Sequence, residues 1–81
     1  MTARVIPFPR WRDHTFVARQ ANRMAELSQA AAEKHLAWQL ELQASTMARR
    51  GIPADLIAPQ VRALETAIRS ALCRILMGGA A

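Results

Sequence analysis

The residues able to carry chemistry are few and scattered. Histidine occurs only at His14 and His35, cysteine only at Cys73, and the carboxylates are Asp13, Glu26, Glu33, Glu41, Asp55 and Glu65. Glu33 and His35 stand two residues apart, so on a helix they point to different faces, and E-K-H-L is no metal-binding H-E-x-x-H pattern. Both histidines read as surface or half-buried side chains, with pH sensing or catalysis as the alternative. Cys73 has Arg69 and Arg74 nearby, cations that favour the thiolate, but no histidine lies within helical reach to act as its base. It reads as a small hydrophobe. Glu33 and Glu41 are roughly two turns apart, too far to share a proton. Gly78-Gly79 follows a helical stretch instead of preceding one, so it is no phosphate-cradling loop. The sequence therefore reads as non-enzymatic, with no catalytic, cofactor-binding or metal site.

What remains is binding chemistry, and it concentrates near the start. The stretch V-I-P-F-P-R-W-R, residues 5–12, sets two prolines around Phe8 and two arginines around Trp11. Proline fixes its own φ and drives the preceding residue toward extended backbone, so this arm is expected to be extended. The chain carries 11 Lys+Arg against 6 Asp+Glu, a net charge of +5. Arg4, Arg10 and Arg12 supply three of those charges with no acid among residues 1–12, whereas the rest is nearly balanced. Arg4, Arg10 and Arg12, with Arg19 and Arg23 one turn apart on the first helix, are candidate phosphate contacts, and Phe8 and Trp11 are candidate stacking groups. Equally, Ile6, Phe8 and Trp11 are apolar enough to pack on the chain's own helices, on a second subunit or on a partner protein.

The positioning elements are helices. At 81 residues the chain has room for one domain. Its lone cysteine rules out an internal disulfide, which leaves tight helix packing or oligomerisation to stabilise it. Asp13 is suited to cap a first helix over about 14–27, and Ser28 a second over about 29–50, although no Pro or Gly forbids continuity between them. Arg49-Arg50-Gly51-Ile52-Pro53 reads as a helix end of the Schellman type, with Gly51 left-handed and Ile52 folding back on Met47. A third helix is expected over about 54–77. Pro59 either breaks or kinks its first turns, or starts the main helix after a short turn at 54–58.

The faces of these helices bear on partners. In the second helix Ala32, Leu36, Leu40 and Met47 share one side, while Ala31, Trp38 and Leu42 lie nearly opposite. In the third, Ile57, Val61, Leu64, Ile68, Ala71 and Ile75 recur at alternating four and three, a seam that packs on the second helix or faces another chain. Leu72 and Leu76 widen it. Ile6, Phe8, Trp11, Trp38, Leu42, Leu72 and Leu76 are thus the candidate partner or oligomer contacts. A helix-turn-helix reading of residues 48–53 is weakened by Pro59, which falls where base contacts would be made. The apolar run Ala71–Met77 is broken by Arg74 and too short to span a membrane, and no secretory signal is expected.

The order V-I-P-F-P, then A-x-x-M-A at Ala21–Ala25, A-A-E-K-H-L-A-x-Q-L, R-R-G-I-P and R-A-L-E-x-A-I-R resembles a family of short alphaproteobacterial helical proteins of unassigned function. The resemblance implies an all-helical body and a bacterial or prophage cytoplasmic setting, and it carries no functional residue over. The expectation is an all-α protein: an extended arm at 1–12 and a single helical domain at 13–81, with helices 2 and 3 as an antiparallel hairpin. Its expected role is that of a non-enzymatic binding or regulatory protein acting by protein–protein contact as a homodimer, without cofactor. The alternatives are a nucleic-acid-binding accessory protein and a phage-type inhibitor acting by occlusion.

Overall fold

A computed structural model describes residues 9–78. Ile6, Phe8 and Arg4 lie outside them. Three α-helices and no strands make up the described residues: α1 (His14–Ala25), α2 (Gln29–Arg49) and α3 (Ala54–Leu76), preceded by a 3₁₀ turn at Arg10–Arg12. The protein is all-α. It is elongated, 47 × 25 × 15 Å, because α2 and α3 are each about twice the length of α1.

Each helix begins where a side chain or a proline can open it. Asp13 is extended (φ −82°, ψ 92°) and its carboxylate accepts from the Phe16 N–H at 3.1 Å, satisfying one of the orphan donors of the first turn. Ser28 does the same for α2, its hydroxyl accepting from Ala31 N–H at 3.2 Å. Its extended backbone (φ −64°, ψ 161°) separates α1 from α2, a break that composition alone leaves open. α1 stops at Ala25 rather than Leu27, because the Glu26 and Leu27 N–H groups close i−3 bonds to Arg23 and Met24 and tighten the last turn.

The end of α2 is a full Schellman motif. Gly51 is left-handed (φ 84°) and donates to the Ala48 carbonyl at 3.0 Å, while Ile52 donates to Met47 at 3.1 Å. α3 runs as one helix from Ala54 with Pro59 inside it, so Pro59 neither breaks the helix nor starts it. Its first turn is anchored from outside by the Pro53 carbonyl, which accepts from Leu56 and Ile57 at 2.9 and 3.2 Å. Pro59 thus falls one turn further in, where its ring-fixed φ is helical and only a single intrahelical donor is lost.

The core is small and built by all three helices. Val17 and Met24 of α1, Ala32 and Leu36 of α2, and Leu64 and Ile68 of α3 form one buried cluster. Trp11, Phe16, Leu27, Leu40, Ala67, Ala71 and Leu72 pack around it, half-buried. α3 packs on α2 and, more extensively, on α1, a contact that the expectation of a seam against the second helix did not include. The cause is the α1–α2 break at Ser28, which frees α1 to cover the seam. Burial along the seam tapers, complete at Leu64 and Ile68, partial at Ile57, Val61 and Ala71, and 37 % exposed at Ile75.

Candidate functional site

The base of the arm is tied to the body. The extended backbone expected up to residue 12 gives way to the 3₁₀ turn, with Arg12 donating to the Pro9 carbonyl at 3.0 Å. This turn places Trp11 against the core cluster, and its Nε1 donates to Gln60 Oε1 of α3 at 2.9 Å. Trp11 is therefore engaged within the chain. Leu72 likewise packs on the core.

The candidate phosphate contacts are mostly engaged as well. Arg10 donates to Asp13 Oδ2 at 3.2 Å and stands over the Phe16 ring, 4.6 Å from its centroid. Arg12 stands over the Trp11 ring at 5.3 Å. Arg23 pairs with Glu26 at 3.3 Å. Arg19 and Arg23 do share the outward face of α1 with His14, Thr15 and Asn22, where a shallow open depression lies. The Asp13 carboxyl is held below its ordinary range, first by the Phe16 N–H and further by Arg10.

A second polar cluster joins α2 to α3. Arg69 donates through both terminal nitrogens to the two oxygens of Glu33, each at 2.8 Å, and through Nε to Glu65 at 3.0 Å. This fork is a geometry that lysine cannot reproduce. It raises the Arg69 pKa, through Glu33 foremost and then Glu65, and lowers that of Glu33. All three side chains are about half exposed, so the cluster orients the two helices more than it stabilises them.

Two buried glutamines carry no sequence signal beyond their place on the inner faces. Gln20 Oε1 lies 2.7 Å from His35 Nε2, linking α1 to α2. Gln39 is also buried, and its Oε1 has no hydrogen-bond partner among the described residues. Cys73, read as a small hydrophobe, is exposed, with its Sγ 3.4 Å from Met77 Sδ. Among the described residues no three of His, Cys, Asp and Glu gather as a metal site would require, and no helix is long and apolar enough to cross a membrane.

The outward face of α2 displays two large apolar side chains in mid-helix, while its other face is packed. Trp38 is 56 % exposed and Leu42 39 %. His35 lies beside Trp38 with ring centroids 6.2 Å apart. Leu76 and Met77 are exposed at the end of α3. Tryptophan is ordinarily highly buried, so a half-exposed one on a rigid helix marks a surface suited to contact.

These features define a small all-α protein with an apolar face displayed on its second helix. The whole chain, residues 1–81, matches a family of unknown function (DUF6074), and the protein belongs to that family. No curated protein and no solved structure matches it.

Proposed function

We propose that the protein is a non-enzymatic binding or regulatory module that acts through protein–protein contact and assembles as a homodimer. The observation that carries this reading is Trp38, 56 % exposed beside Leu42 on a helix whose opposite face is buried. A large aromatic held on a rigid element loses little entropy on docking and gains the most from being covered. The small core supports assembly as well, since seven buried apolar side chains among the described residues are a modest nucleus.

In this reading α2 and α3 form an antiparallel hairpin. The Arg69–Glu33 fork, linking the late part of α3 to the early part of α2, and the short connection at residues 50–53 support that arrangement. The setting is a bacterial cytoplasm, in keeping with the single cysteine. The intramolecular engagement of Arg10, Arg12 and Arg23 favours protein over nucleic acid as the partner.

Light scattering across protein concentration tests the assembly, and titration with duplex and single-stranded nucleic acid across salt tests the partner class. The expected results are a dimer mass that dissociates on dilution, and no salt-steep nucleic-acid binding. A strict monomer at high micromolar concentration overturns the homodimer. Nucleic-acid affinity that falls steeply with salt transfers the function to the arginines.

A further inference from the structure

The exposed face of α2 has a charge pattern that is complementary to itself. Most carboxylates have a partner within the chain: Asp13 with Arg10, Glu26 with Arg23, and Glu33 and Glu65 with Arg69. Glu41 has none among the described residues, and neither has Lys34, the single lysine. Both are exposed, and both border the Trp38–Leu42 stripe. At 100° per residue they fall within about 20° of each other, so they occupy the same edge of the helix.

Their spacing about Trp38 fixes what they can meet. Lys34 lies four residues before Trp38 and Glu41 three residues after it. These offsets are about 6 and 4.5 Å along the axis. If a second α2 runs antiparallel across a two-fold axis at Trp38, Lys34 of one copy and Glu41 of the other come within about 1.5 Å in height. The same edges face each other in such a pair, and the contact is made twice. A parallel pair would set Lys34 opposite the Leu42 and His35 edge of its partner, away from Glu41.

We infer that the outward face of α2 is the seat of a second copy of this chain, packed antiparallel about a two-fold axis at Trp38. Trp38 meets its own copy at the centre, Leu42 covers His35 of the other chain, and two Lys34–Glu41 ion pairs run along one edge of the apolar strip. This inference rests on the homodimer reading above and adds its geometry.

Charge reversal tests it. Lys34→Glu and Glu41→Lys each replace two attractive contacts with two repulsive ones. Each is expected to raise the dimer dissociation constant about tenfold in sedimentation or light scattering at low salt. The double variant K34E/E41K is expected to restore it, and mixing the two single variants is expected to yield a heterodimer tighter than either homodimer. Trp38→Ala is expected to abolish dimerisation with unchanged far-UV circular dichroism, because the side chain lies outside the core. Single reversals with unaltered dissociation constants, or single variants that do not complement each other, overturn the antiparallel geometry while the homodimer stands. A wild-type chain that never dimerises overturns both.

Discussion

Ile68 and Ile75 occupy the same seam of α3, one heptad apart, yet Ile68 is fully buried and Ile75 is 37 % exposed. Truncating each to alanine measures how far the core extends along the helix. Three carbons are removed in either case. At about 0.8 kcal/mol per buried carbon, full burial is worth about 2.4 kcal/mol. The cavity left between Met24, Leu36 and Leu64 adds about 1 kcal/mol, because a surround built by three helices relaxes only in part. Alanine's better helix propensity returns about 0.4 kcal/mol. Ile68→Ala therefore costs about 3 kcal/mol. Ile75→Ala forfeits only the buried part and leaves no enclosed cavity, so it costs about 1 kcal/mol after the same propensity correction. A chain of this size has about 4–10 kcal/mol of stability in all, so the first loss is a large share of it. Urea denaturation at one fixed protein concentration, followed by far-UV circular dichroism, gives both values. If Ile68→Ala does not fold, Ile68→Val reads the same site with a loss of about 1 kcal/mol. Equal losses at the two positions would refute the tapering core, and a larger loss at Ile75 would show that the end of α3 is covered in solution.

Two further outcomes follow from the helix ends and the carboxylates. Gly51→Ala is expected to cost about 1 kcal/mol in the same denaturation experiment, because φ of 84° is strained for any side chain even though open space surrounds the position; a neutral result would mean that the end of α2 is not left-handed. Asp13 and Glu33 are both held below their ordinary carboxylate range, by the Phe16 N–H and by Arg69 respectively. The stability each contributes is fully present above the ordinary carboxylate pKa and is lost as pH falls through its lowered value, so the melting temperature is expected to drop on acidification and Asp13→Asn/Glu33→Gln to flatten that limb; an unchanged acid profile in the double variant would sink the assignment.

The helices were legible because each is announced by local chemistry. Asp13, Ser28 and Gly51 act at the positions where capping and left-handed backbone require them, and those effects extend over a single turn. Pro59 was not legible. Whether a proline ends a helix depends on how the first turn is anchored, and here the Pro53 carbonyl and the half-buried Leu56 and Ile57 hold that turn in place. The partner of the α3 seam was equally hidden. Periodicity shows that a face is buried but not which helix buries it, and the choice between α1 and α2 turned on the break at Ser28. The Arg69–Glu33 fork and the Gln20–His35 contact join residues 36 and 15 apart in the chain, a separation at which no local pattern reports.

Net charge was the least informative feature of the candidate site, and the reason is geometric. A surplus of +5 suggests phosphate as a partner only if the cations are free to meet it. Arg10 and Arg12 lie over aromatic rings, Arg23 is paired, and Arg69 is held by two carboxylates, so those guanidinium groups are engaged where they stand. The described arginines outside these contacts, Arg19, Arg49, Arg50, Arg62 and Arg74, are exposed but spread over all three helices rather than gathered at the candidate site. Lys34 and Glu41 contribute nothing to the net charge, yet they lack partners among the described residues and flank an exposed tryptophan. A matched pair of open charges at the edge of an apolar strip specifies a partner more closely than a dispersed excess of one sign does. The face of α2 sets such a pair beside an exposed tryptophan, and the proposed antiparallel pairing rests on that juxtaposition.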